Sequence, residues 1–248
     1  MTIENEDDVI ALQRIGRIVA QVLQEMLSAA EPGMTTRELD ALGEQLLEKH
    51  GARSAPKLTY GFPGFTCISI NEEAAHGIPG DRVIRAGDVL NIDVSAELGG
   101  YFADTGGTTV VPPSTPLKTR LCHATRTALE KAMKQARAGQ PLNGIGAAIQ
   151  RTAKAHGFKV IENLGSHGVG RALHEAPEHI PGYFDPTDRR LLMEGMVITI
   201  EPFLSTKSRV VTETSDGWTL VGAHGNLSAQ YEHTMIITKG EPIVVTRC

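Results

Sequence analysis

The sequence predicts an α+β domain of two related halves, each a pair of outer helices followed by antiparallel strands that join in one curved sheet. Three observations point there. Amphipathic helices come in two pairs. The glycines that close corresponding helices stand 106 positions apart: Gly33 and Gly139, and again Gly51 and Gly157. Each half also contains an apolar strand with a carboxylate six positions after a glycine, Gly87 to Asp93 and Gly195 to Glu201.

Between Val9 and Ala29, Leu12, Ile15, Val19, Val22 and Met26 recur at helical spacing, and Pro32-Gly33 breaks the run. Thr35 and Glu38 fit a capping box that opens a second helix through Leu39, Leu42 and Leu46 to Gly51. The second half repeats the pair, from about Leu117 to Ala136 and from Leu142 to His156. The strands RAGDVLNIDV (85–94) and MEGMVITIEP (193–202) follow their helix pairs. No proline- or serine-rich linker separates the halves, so residues 1–248 read as one domain with halves of about 1–112 and 113–248, joined at Pro112-Pro113-Ser114.

Composition excludes several classes. The formal charge is −5 with no long Lys/Arg run, which argues against a nucleic-acid or anionic-membrane surface. No apolar run approaches the ~18 residues of a membrane span. The acidic start MTIENEDDVI lacks the basic and apolar regions of a secretory signal. Cys67, Cys122 and Cys248 form no CxxC pair, so a cysteine-rich zinc site or disulfide framework is not expected. A reducing cytoplasm is the expected location.

The carboxylates carry the chemistry. With a two-residue loop at Leu98-Gly99, Asp93 is expected directly opposite Asp104, with about 4.5–5.5 Å between their Cβ atoms. Two carboxylates that close repel, and a divalent cation between them removes the conflict. Glu201 follows the β-branched run Val197-Ile198-Thr199-Ile200, where an unpaired acid is costly to bury. Glu232 lies in SAQYEHTMIIT (228–238) beside another strand-like run, and alone reads as a surface acid. His167 and His174 lie in the glycine-flanked GSHGVGRALHEAP (165–177), and His76 in EEAAHGIPG (72–80). The spacing of His174 and His179 rules out HExxH; no GxSxG or P-loop occurs, and Gly144-Ile145-Gly146 has no preceding strand.

Together HGIPG, NIDVSAELGGYFADTG (91–106), SHGVGRALHEAP, ITIEPF (198–203) and DGWTL…SAQYEHT (216–234) resemble the type I methionine aminopeptidases of the pita-bread, creatinase-like family over nearly the whole chain. The resemblance implies a pita-bread fold and five metal ligands, Asp93, Asp104, His167, Glu201 and Glu232. Asp104 and Glu232 would bridge two divalent ions, and Asp104 would match Glu232 across the pseudo-repeat as Asp93 matches Glu201. Four carboxylates and one imidazole suit Mn, Fe or Co and permit Zn. A hydroxide shared by the ions would attack the first peptide carbonyl. Glu201 would shuttle its proton, His174 would stabilise the oxyanion and His76 would contact the scissile amide nitrogen or the intermediate. Phe62, Cys67 and Trp218 stand at the family's methionine-pocket positions, and a small second substrate residue is implied.

Departures touch no implied ligand. Ser166 stands where glycine is usual, Ala176 where an acid is usual, and Thr59 where an aromatic is frequent. The expected partners are peptide and nascent-protein N-termini, with the ribosome a further candidate, acting on a monomer. Two other readings stay open: a prolidase or aminopeptidase P-like hydrolase, and a non-catalytic binding protein on the same scaffold.

Overall fold

Helix α1 (Glu6–Ala29) starts where Asn5 accepts a hydrogen bond from the Asp8 amide, with Glu6, Asp7 and Asp8 in the positive first turn. Leu12, Ile15, Val19, Val22 and Met26 form its fully buried stripe. Each such burial contributes about 1.5–3 kcal/mol relative to exposure. Helix α2 (Thr36–Lys49) carries the expected Thr35/Glu38 capping box. A short helix absent from the sequence expectation, α3 (Ala55–Tyr60), begins at Ser54 with Pro56 in its first turn and stops at Gly61 in the left-handed region. In the second half, α4 (Pro116–Met133) opens at Thr115-Pro116, and α5 (Asn143–His156) ends on Gly157 at φ 78°. The computed structural model describes residues 1–247; Cys248 lies outside the described residues.

The first-half sheet centres on a long hairpin, Val89–Leu98 against Tyr101–Val110. Its turn is Gly99-Gly100, with φ of 61° and 83°. Both turn residues need positive φ in a tight hairpin, which Gly-Gly adopts freely and Leu98 does not. The loop is therefore one residue later than Leu98-Gly99. Asp93 pairs with Gly106, and Asp104 with Ser95. The two acids share a face as diagonal neighbours, about 7–8 Å apart at Cα, instead of standing directly opposed.

In the second half the corresponding ribbon is interrupted. Val197–Ile200 pairs with His233–Ile236, and Phe203–Ser205 pairs with Ser228–Gln230. The register Ile200↔His233 and Phe203↔Gln230 is the same on both sides of the gap, so Glu201 and Glu232 fall opposite one another at the interruption. Glu232 thus corresponds to Gly106, not to Asp104: the pseudo-symmetry holds for Asp93 and Glu201 but misses the second pair by two residues.

Threonine hydroxyls stitch the halves together. Thr234 Oγ1 accepts from the Asp104 amide and donates to the Asp104 carbonyl, at 2.9 and 2.7 Å. Thr108 Oγ1 does the same for Gln230, at 2.9 and 2.7 Å. Beneath this seam each half keeps its own apolar core. One spans Ile15 to Val111 in sequence and the other Leu121 to Ile237. Among the described residues no helix is long and apolar enough to cross a membrane.

Candidate metal centre

The seam gathers five side chains, four of them lining one cavity and the fifth, Glu232, buried beneath it. Asp93 and Asp104 come from the first hairpin, His167 from the strand Gly165–Gly168, and Glu201 and Glu232 from the interrupted ribbon. One ligand atom each from Asp104, His167 and Glu232 lie within 4.8 Å of one another. His167 Nε2 is 3.8 Å from Asp104 and 3.5 Å from Glu201, too far for good hydrogen bonds. The other ring nitrogen, Nδ1, lies 3.0 Å from the Gly168 carbonyl, a contact that fixes Nδ1 as the donor and turns Nε2 to the acids.

The cluster has too much negative charge to stand alone. Burial, reinforced by neighbouring carboxylates, pushes Asp93, Glu201 and Glu232 well above the usual carboxylate range, and burial raises Asp104 to about 6. Burial also lowers His167 to about 3, leaving a neutral imidazole. Among the described residues no Lys or Arg lines the cavity, and Asp104 Oδ1 and Glu232 Oε1 are buried with no hydrogen-bond partner. A buried, unpartnered carboxylate oxygen costs free energy, and a divalent cation is the partner this donor set fits.

Neighbouring hydroxyls and amides hold these groups in place. Thr199 Oγ1 accepts from the His167 amide at 3.2 Å and donates to Glu201 Oε1 at 3.3 Å. Ser166 Oγ accepts from the Glu201 amide at 2.9 Å. The strands carrying His167 and Glu201 are thereby cross-braced by each other's hydroxyls. Asn91 orients Gln230, whose side-chain amide donates to Glu232 Oε2 at 3.0 Å, the oxygen opposite the unpartnered one.

The cavity holds about 480 Å³. Its walls include His76, His174, Phe62, Cys67 and Trp218; Glu232 lies beneath the floor, 1% exposed. Phe62 and Trp218 meet edge to face, with ring centroids 5.2 Å apart. Cys67 sits directly across from Asp93, and burial together with that acid raises its thiol pKa, so it contributes a neutral sulfur. His76 is held at φ 55°, a left-handed conformation that histidine tolerates better than most residues. The ring of His174 lies 4.1 Å from that of His167, and its Nδ1 is 2.7 Å from the Tyr60 hydroxyl. Sequence reasoning missed Tyr60 and Phe203 in this wall. The run Ser54-Ala55-Pro56…Tyr60-Gly61 carried the signal for Tyr60, since a capped helix ending there fixes the ring's position. A larger cleft of about 740 Å³ between α1 and α4 touches Glu232 but none of the other four acid and histidine residues.

Residues 11–239 match metallopeptidase family M24. The chain belongs to that family. This M24 metallopeptidase is 47% identical over 248 residues to methionine aminopeptidase 2 of Bacillus subtilis, covering all of both chains. It is 50% identical over 248 residues to a methionine aminopeptidase of Staphylococcus epidermidis, covering 100% of this chain and 99% of that one. The solved methionine aminopeptidase of Thermotoga maritima superposes with a TM-score of 0.95 at 34% identity, covering all of both chains. The M24 chain thus has the α+β pita-bread architecture expected of it, and a metallopeptidase of this family works with divalent metal.

Proposed function

We propose that this M24 chain is a methionyl aminopeptidase, a hydrolase that removes the N-terminal methionine from peptides and nascent proteins with a small second residue. The observation that carries the proposal is the convergence of Asp93, Asp104, His167 and Glu201 in one cavity walled partly by aromatic rings, with Glu232 buried beneath them. In this reading the five would hold two divalent ions, Co, Mn, Fe or Zn, and the buried unpartnered oxygens of Asp104 and Glu232 would be among the atoms that hold them. Bound divalent ions supply Lewis acidity and make water nucleophilic at neutral pH.

The protein's own groups do the rest. Phe62, Trp218 and the Cys67 sulfur enclose the first side chain, and a thioether suits that surface. Glu201, held through its amide and Oε1, takes the proton of the attacking water and passes it to the leaving amine. His174 donates to the developing oxyanion, and His76, lining the same cavity, contacts the scissile nitrogen or the intermediate. Tyr60 sets the donor role of His174, because a hydroxyl on Nδ1 leaves Nε2 for the substrate. Tyr60→Phe is expected to lower kcat about three- to tenfold with little change in KM, read from steady-state kinetics on Met-Ala-Ser.

Residues 1–248 act as a single domain, cytoplasmic and monomeric, with nascent chains and the ribosome as the setting of the reaction. A substrate panel tests the whole reading. Met-Ala-Ser is expected to exceed Leu-Ala-Ser by about tenfold or more in kcat/KM, with Xaa-Pro peptides poor. A preference for Xaa-Pro would instead assign the prolidase reaction, and no hydrolysis with any metal would assign a binding role.

A further inference from the structure

We propose that an open cleft beside the catalytic cavity is the track for the substrate polypeptide beyond its second residue, and that it favours basic segments. This rests on the aminopeptidase reading above. The strand Glu175–Pro181 forms one edge of the five-stranded sheet. Two of its residues, Glu178 and His179, line the catalytic cavity and also line a second, larger cleft of about 1110 Å³. The two spaces are therefore neighbours through a shared wall. An aminopeptidase encloses only the first residue, so everything after the scissile bond must leave by the cavity mouth. At about 3.3 Å per extended residue, a track beside this seven-residue strand takes roughly the third to the eighth substrate residue.

The cleft's surface states what it would select. Asp188 is paired with Arg190 and Glu175 with the Met1 ammonium, each at 2.7 Å, whereas Glu178 and Asp185 form no ion pair among the described residues. Asp185 is fixed by the amide and hydroxyl of Thr187, at 2.8 and 2.6 Å. Between these acids lies apolar surface, including Tyr183, Met196 and the half-exposed Leu191. Apolar surface flanked by acids outside any ion pair suits the aliphatic stems and charged heads of Lys and Arg. Pro177 and Pro181, with the Arg190 guanidinium on the His179 carbonyl, blunt the sheet edge against general strand pairing. The track thus reads side chains more than backbone.

The test uses Mn-loaded protein and matched peptides, Met-Ala-Ser alone and Met-Ala-Ser extended by segments bearing three Lys or three Glu. The Lys peptide is expected to exceed the Glu peptide by roughly three- to tenfold in kcat/KM at low salt, and the ratio to shrink as salt is added. Glu178→Lys is expected to bring the ratio to unity or below, and Asp185→Asn to reduce it. Because the readout is a ratio within each variant, a general loss of activity cancels. Equal rates for Lys and Glu peptides, or a ratio unchanged in both variants, overturns the track alone. Absence of methionine release from every peptide, the tripeptide included, removes the aminopeptidase reading and the track with it.

Discussion

Asp104→Asn is expected to lower kcat/KM for Met-Ala-Ser by about a thousandfold or more, because it removes a charge that would hold the metal. The same substitution is expected to have the opposite effect on the metal-free fold. Asp104 is buried, its Oδ1 has no partner, and three other carboxylates surround it. An amide in its place removes one charge from that cluster and supplies donors to its neighbours. Chelated Asp104→Asn protein is therefore expected to melt no lower than chelated parent, while losing the parent's gain on metal addition. Thermal melts of both proteins with Mn and with chelator measure this. A variant that keeps its turnover, or that melts far below the parent without metal, would remove Asp104 from the metal-holding role.

Metal stabilisation is expected to grow as pH rises from 5 to 8. The four acids have folded-state pKa values raised by burial and by each other, Asp104 to about 6. Without metal, the folded protein then holds more protons than the unfolded chain. That contribution is fully present below the ordinary carboxylate values and is lost as pH climbs through the raised ones. His167 works in the other direction. Its folded pKa of about 3 means stability is complete above about 6.5 and is lost as pH falls below it. Metal replaces the protons on the carboxylates, so it relieves the penalty that grows with pH. At a hundredfold excess over Kd the gain is about 2.7 kcal/mol. In a chain of this size that amounts to roughly 5–10 °C in Tm near pH 8, and to much less at pH 5. A gap between Mn-treated and chelated protein that stays level or narrows with pH would contradict the cluster's electrostatics.

The parts legible in the sequence were those fixed locally. Helix pairs showed in the spacing of Leu12, Ile15, Val19, Val22 and Met26 and in the Thr35/Glu38 cap, since these depend on residues one or two turns apart. Asp93 and Glu201 stood out because an acid in an apolar strand needs a partner. The hairpin turn was misplaced by one residue and its register by two, although Gly99-Gly100 meets the positive-φ demand of the turn and Leu98 does not. Other features depend on distant segments meeting. Glu201 faces Glu232 only through a register that survives an interruption. Ser166, Thr199 and Tyr60 act on residues that topology brings to them. Ser166 in particular looked like a simple departure from glycine; in place, its hydroxyl meets the amide of Glu201.

The seam made by Thr108 and Thr234 has a consequence for time as well as for shape. Asp93 and Asp104 lie on one side of it and Glu201 and Glu232 on the other, about a hundred residues or more away in sequence. Contacts that distant form after the local helices and hairpins, when most of the chain is already in place. A cation therefore finds its ligands assembled only near the end of folding and does little to hasten the early steps. Its effect falls on the reverse process: the metal acts as a latch, lengthening the life of the closed molecule more than it shortens the route to it.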